Sequence, residues 1–203
     1  FVNKIKKILE IVCCNCGKIL LDESNPLFAQ AAKIRDPKIR FNQVWKICKP
    51  KMTCETDPAD DNHEEPKEGE KKRPHGGCGS PQPTIRRDGL QLTGTWKASK
   101  DDEEGGQQVP EKRVITPQEV LNIFRHIPEE EIWKMGLNVD YARPEWMVLT
   151  VLPVPPPPVR PSISVDGTGA GMRGEDDLTY KLGDILRANA SVRQCEQEGS
   201  PAH

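Results

Sequence analysis

Apolar positions fall in short clusters, and their spacing predicts helices joined by polar stretches. In residues 3–12, NKIKKILEIV, Ile5, Leu9 and Val12 share one helical face, although so short a run also suits a strand. Ser24-Asn25-Pro26 and Asp36-Pro37 each read as a helix start with proline at an early helical position. The second of these helices carries Ile39, Val44, Trp45 and Ile47 and should end before Pro50. Residues 84–96, TIRRDGLQLTGTW, alternate about Asp88-Gly89, the signature of a hairpin. Thr116-Pro117-Gln118-Glu119 is a capping box ahead of Val120, Leu121, Phe124 and Ile127. A shorter helix through Ile132, Trp133 and Met135 should end near Gly136. Asp176-Asp177 opens a last amphipathic helix with Leu178, Leu182, Ile185 and Leu186. No internal repeat is visible.

Residues 148–165, VLTVLPVPPPPVRPSISV, break this pattern. An apolar run of strand type, with residues 146–152 expected to be buried, leads directly into Pro155, Pro156, Pro157 and Pro158. Proline cannot donate to a sheet and favours the stiff polyproline II helix. A rigid strut between a strand and a loop fits this order. A Pro-x-x-Pro ligand for an SH3-like domain is the alternative.

Composition sharpens the picture. Only 35% of residues are apolar and 30% are charged, with 19 prolines and 16 glycines in 203 residues. Modest packed regions between long loops are expected, the charged stretches 55–75 and 98–113 being solvated loops. A net charge of −2 carries no global signal for nucleic acid, so any such contact would use local basic patches. No stretch has the apolar length of a membrane span, and the start lacks the build of a secretion signal. The chain begins at Phe1 and stops at Ser200-Pro201-Ala202-His203, which reads as a piece of a longer protein.

Seven cysteines, Cys13, Cys14, Cys16, Cys48, Cys54, Cys78 and Cys195, without a secretion signal argue against a full disulfide framework. Cys13-x-x-Cys16 followed by Gly17 lets two sulfurs grip one metal in a tight turn. Zinc in structural sites takes four such ligands. Cys54, beyond Pro50, and Cys78, within Gly76-Gly77-Cys78-Gly79, are the best candidates for the second pair. Closure entropy grows slowly enough with loop length to allow the long segment between them. Core thiols and a redox pair remain open on spacing alone. Cys14 could replace Cys13, and His63 and His75 are poorer ligands. Cys48 fits a core face and Cys195 a bystander.

Five stretches then carry a resemblance: CCNCGKILLDESNP, KMTCETD, GGCGSPQPTIRRDGLQL, RPEWMVLTVLPVPPPPVRPSISV and RGEDDLTYKLGDILRANA. In this order they resemble the largest subunit of eukaryotic RNA polymerase II. The resemblance spans almost the whole chain, with the two charged loops as its variable parts. It implies an α+β fold: an irregular, zinc-stapled clamp fragment with helices around small antiparallel strands and long loops. Residues 1–140 would form a zinc-binding clamp head. Residues 141–203 would supply a clamp-core strand, proline strut, lid loop and following helices. It further implies structural zinc on Cys13, Cys16, Cys54 and Cys78, and a lid at about residues 161–176 that helps part transcript from template. The lid here is longer and richer in glycine than the usual form.

The same resemblance implies a nuclear partner set: other polymerase subunits, template DNA and RNA transcript, with no membrane. Nucleotidyl transfer normally uses two metal ions held by carboxylates. The family's Asn-Ala-Asp-Phe-Asp-Gly-Asp loop does not occur in this sequence, so catalytic residues are expected to be none and magnesium to be bound elsewhere in the parent enzyme. Asp101-Asp102 and Asp176-Asp177 read as loop charge and helix start. Arg160 and Arg173 flank the lid and could touch nucleic acid, as could Arg86 and Arg87 on the hairpin, against the plainer reading of solvated arginines. A free-standing zinc adaptor presenting a proline-rich ligand is the second hypothesis. A redox enzyme using Cys13 and Cys16 is the third, and it lacks the βαβ context such a site needs.

Overall fold

The computed structural model describes residues 1–56, 76–97 and 110–199. They divide into two units, Phe1–Leu149 and Thr150–His203. The fold is α+β. Most of residues 55–75 and 98–113, with His63, His75 and Asp101-Asp102, lies outside the described residues.

In the first unit, helix α1 (Val2–Leu9) is followed by α2 (Pro26–Ala32) and α3 (Pro37–Cys48). The side chains of Asn25 and Asp36 cap α2 and α3 by accepting bonds from the first turn, ahead of a proline at the first helical position. The short run at the start is thus a helix. Val12 beyond it forms an isolated antiparallel bridge to Ile19. Strands β1 (Thr84–Asp88), β2 (Gln91–Trp96) and β3 (Glu111–Ile115) form an antiparallel sheet in that order. The Asp88-Gly89 turn closes the expected hairpin, with Asp88 opposite Gln91. β3 corrects the end of the second charged loop. Its sequence EKRVI buries only Ile115, so an edge strand with polar side chains gave no alternating signal.

Helix α4 (Pro117–Arg125) carries the complete capping box, and α5 (Glu129–Lys134) follows. The core joins Ile8, Ile11 and Ile19 to Phe28, Phe41 and Val44, and to Phe124, Ile132 and Met135. The sheet contributes Ile85, Leu92 and Ile115. Ile39, expected inside, is 51% exposed.

Arg40 is a buried cation of this unit, only 2% exposed. Its guanidinium donates to the carbonyl oxygens of Ile34 (2.6 Å), Trp133 (3.0 Å) and Arg35 (3.2 Å), and it lies 3.9 Å from the Trp133 ring centre. One side chain therefore ties the α2–α3 turn to α5. Arg40→Met should lower the stability of this unit by about 3 kcal/mol, because buried carbonyls lose a charged donor. Faster amide exchange in α3 and α5 of the full-length subunit would register the loss.

The apolar run at 148–152 is not a strand. Leu149 is 55% and Val151 81% exposed, and Trp146 closes a short 3-10 turn at Pro144–Met147. No neighbouring backbone offers these residues a ladder among the described elements, so apolar composition alone did not make a buried strand.

In the second unit, Pro156 is extended and Pro157–Val159 form a 3-10 turn, so the proline segment bends rather than continuing as one rod. Strands β4 (Ile163–Ser164) and β5 (Arg173–Gly174) pair antiparallel and enclose residues 165–172. Helix α6 (Asp177–Glu198) begins at Asp176, whose side chain accepts from the Leu178 N–H. No residue of α6 is buried, and Leu186 is 69% exposed.

Candidate metal centre

Two turns face each other at the edge of the first unit. The first continues from the Val12–Ile19 bridge. Cys13 N–H donates to the Lys18 carbonyl (2.8 Å) and Gly17 N–H to the Cys13 carbonyl (3.0 Å). Gly17 holds φ at +76°, and a Cβ there would sit 2.4 Å from the His126 carbonyl oxygen. Only glycine lets the turn reverse and lie against the end of α4.

The second turn copies the first with different residues. Thr53 bridges Pro81, Cys54 N–H donates to the Ser80 carbonyl (3.0 Å) and Gly79 N–H to the Cys54 carbonyl (2.8 Å). A Cβ on Gly77 would meet the Glu55 carbonyl oxygen at 2.1 Å and the Cys54 sulfur at 2.9 Å. Gly77, within the glycine cluster around Cys78, is therefore a packing requirement.

The sulfurs of Cys13, Cys16, Cys54 and Cys78 all lie within 4.8 Å of one another. Cys13 and Cys78 are 3.5 Å apart, and Cys16 and Cys54 3.7 Å. These distances exceed a disulfide bond, about 2.05 Å. They match the edge of about 3.8 Å that four thiolates at 2.3 Å around zinc would make. Backbone N–H groups point at the sulfurs, from Asn15 to Cys13 and from Cys78 to Cys54, both 3.4 Å. The donor set and spacing thus fit a metal ion, and these four cysteines can hold one.

The electrostatics agree. Burial pushes the Cys54 and Cys16 thiols up. Burial also opposes ionisation of Cys78, but hydrogen bonding with Ser80 and Asn15 outweighs it and holds that thiol down at about 6. Four thiolates this close repel strongly unless a cation lies among them.

Gln82 is a member of the site that sequence reasoning missed. It is 6% exposed, and its amide donates to the Cys13 sulfur (3.2 Å) and the Ser80 carbonyl (2.9 Å) while accepting from Cys14 N–H (3.0 Å). It joins the two turns and orients one ligand, as outer partners of metal sites do. The only sequence cue was a polar residue following the glycine cluster, with nothing to show its burial.

Cys14 stays outside the cluster and lines a cavity of about 200 Å³ with Trp96 and Arg113. Burial, then the neighbouring Cys13, pushes its thiol up to about 12. Cys48 is fully buried in the core, where burial raises its thiol from 9.0 to about 12, while Cys195 is exposed on α6. The raised value favours the neutral thiol in the folded state. That stabilisation is present below pH 9 and lost as pH rises toward 12. Iodoacetamide at pH 8 should therefore label Cys195 at once and spare Cys48 until the chain unfolds, as read by mass spectrometry of digests.

Of the arginines, Arg173 lies exposed on β5. Arg160 is half-buried, and its guanidinium donates to the Pro155 carbonyl (2.9 Å) and to Thr179 Oγ1 (3.3 Å). Arg87 donates to Asn3 Oδ1 on α1 (2.8 Å). Among the described residues, no helix is long and apolar enough to cross a membrane.

Two glycine-shaped turns that bring four sulfurs together define an α+β module able to hold a metal ion. The family described as RNA polymerase Rpb1, domain 1, matches residues 1–203, and the chain belongs to that family, the N-terminal region of the largest RNA polymerase subunit. Membership implies a part in transcription, with DNA-directed RNA synthesis belonging to the full complex.

Proposed function

We propose that this chain is the clamp and lid segment of the largest subunit of RNA polymerase II, acting in the nucleus. The match over residues 1–203 carries this reading. In it, Cys13, Cys16, Cys54 and Cys78 hold a structural zinc ion that staples the clamp head. Residues 141–203 supply the bent proline segment, the lid and the following helix. The segment guides DNA and separates transcript from template, while catalytic aspartates and magnesium belong to other parts of the enzyme. Its partners are the other polymerase subunits, the template and the transcript.

A basic stripe on α1 and α3 supports the guiding role. Lys4, Lys7 and Lys38 line one open cavity with Asn3 and Phe41. Lys7 and Lys49 both lie over the Trp45 ring, 4.4 and 4.7 Å from its centre. Burial and then the neighbouring Lys7 bring the Lys4 ammonium down to about 8. A phosphate among these ammonium groups would offset both the burial and the mutual repulsion. Lys7→Ala in the assembled polymerase should weaken duplex binding and reduce the salt slope of the affinity by about one. An unchanged slope would remove Lys7 from the DNA-facing surface.

The lid assignment rests on the hairpin enclosing residues 165–172. Shortening those residues to Gly-Ser in the full enzyme should leave transcript annealed to template behind the active centre while nucleotide addition proceeds. Normal displacement would contradict the assignment. Arg173, exposed on that hairpin, remains the candidate for a phosphate contact there.

A further inference from the structure

The base of the β4–β5 hairpin is held by more than its ladder. The ladder has only the pairs Ile163 with Gly174 and Ser164 with Arg173, extended by a bond from Val165 N–H to the Met172 carbonyl (3.2 Å). A two-stranded ribbon this short is not stable by itself. Two side-chain ties lie below it. Ser162 Oγ is 3.0 Å from both carboxylate oxygens of Glu175. One further step down, Arg160 reaches back to the Pro155 carbonyl and forward to Thr179 Oγ1 on the first turn of α6. Residues 160, 162 and 164 alternate along the chain, so three successive ties join the segment before the hairpin to the segment after it.

We infer that Arg160 is a positioning residue: its guanidinium locks the proline segment to α6 and so fixes the hairpin between them, rather than contacting nucleic acid. Its functional consequence rests on the lid reading above. The two bonds leave Nε and Nη1 from one planar group at angles that lysine cannot reproduce with a single ammonium. Both are charge-assisted and partly shielded, which strengthens them over exposed equivalents. The Pro155 acceptor lies two residues before the 3-10 turn at Pro157–Val159, in which the Val159 N–H donates to the Pro156 carbonyl (3.0 Å). The Thr179 acceptor is held by the capped start of α6. Each anchor thus lies in or beside a hydrogen-bonded turn.

The test uses assembled polymerase carrying Arg160→Lys, Arg160→Met, Thr179→Val or Thr179→Ser, beside the shortened hairpin tip. Two quantities are measured: amide exchange at Val165 and Ser164, and the fraction of transcript left annealed to template. Arg160→Lys and Arg160→Met should both speed exchange about tenfold and raise the annealed fraction, since the hairpin loses a charged tie. Thr179→Val should move both in the same direction by about threefold, and Thr179→Ser should restore both. Displacement retained in Arg160→Lys but lost in Arg160→Met would mean that only charge matters, and the positioning role would fall to a phosphate contact. Unchanged exchange in both arginine variants would overturn the role whatever the displacement result. If exchange rises while neither the arginine variants nor the shortened tip alters displacement, the lid reading fails and its functional consequence fails with it. If only the shortened tip impairs displacement, the lid reading stands and Arg160 is overturned.

Discussion

Cys54→Ser is expected to strip the first unit of the proposed zinc ion and of most of its order. Serine offers a hard, protonated oxygen where a soft thiolate is needed, and it removes the acceptor of the Cys78 N–H. Structural zinc supplies roughly 10–16 kcal/mol of apparent binding energy in small zinc peptides. Domains of this size hold only about 5–15 kcal/mol of net stability. A zinc ion held by these four cysteines would be on the scale of the whole folding free energy, and a variant unable to hold it should not keep Phe1–Leu149 ordered. Cys16→Ser should behave alike, and Cys195→Ser should behave as the parent. Amide exchange across α1, α3 and the sheet in the purified subunit gives the measure. Protection equal to the parent in Cys54→Ser would show that the apolar core alone carries this unit.

Gly17→Val ranks second. The left-handed backbone at +76° is strained for any β-branched residue. Its Cβ would also collide with the backbone of α4, at 2.4 Å from the His126 carbonyl oxygen and 2.9 Å from Ile127 N. The three nearest atoms all belong to the His126–Ile127 peptide, so no flexible side chain is there to yield. The turn must lift away from α4, carrying Cys13 and Cys16 with it, at a cost of at least about 3 kcal/mol. Gly89→Ala is the control, because Gly89 has φ of +56° but nothing within 4 Å of its Cβ. It should cost only about 1 kcal/mol. A chelator competition on the purified subunit should find the Gly17→Val site losing metal far more readily than the Gly89→Ala site.

Local chemistry was the readable part of this sequence. The capping box at Thr116, the prolines opening α2 and α3, and the Asp88-Gly89 turn each act over a few residues, so their signals lie within a few letters. The first cysteine pair was visible for the same reason. The second was harder, because Cys54 and Cys78 are separated along the chain and are joined by pairing of Thr53 with Pro81. Gln82 and Arg40 were not legible at all. Their burial depends on distant backbone, the metal turn for one and α5 for the other. β3 hid behind its charges, since an edge strand needs few apolar residues. The run at 148–152 misled in the opposite direction: it has strand composition, but no adjacent backbone pairs with it among the described residues. From its place beside the lid Arg160 reads as a candidate nucleic-acid contact or a solvated arginine, and the tie to Thr179 is visible only once α6 is placed.

The central claim is that four separated sulfurs share one ion. The most direct measurement titrates native polymerase with a mercurial thiol reagent, following released zinc with a dye and assigning each modified cysteine by mass spectrometry. Cys13, Cys16, Cys54 and Cys78 should become modified together, with one zinc released per largest subunit as they do, after Cys195 has already reacted. Independent modification of those four cysteines with no metal released in step would contradict the account.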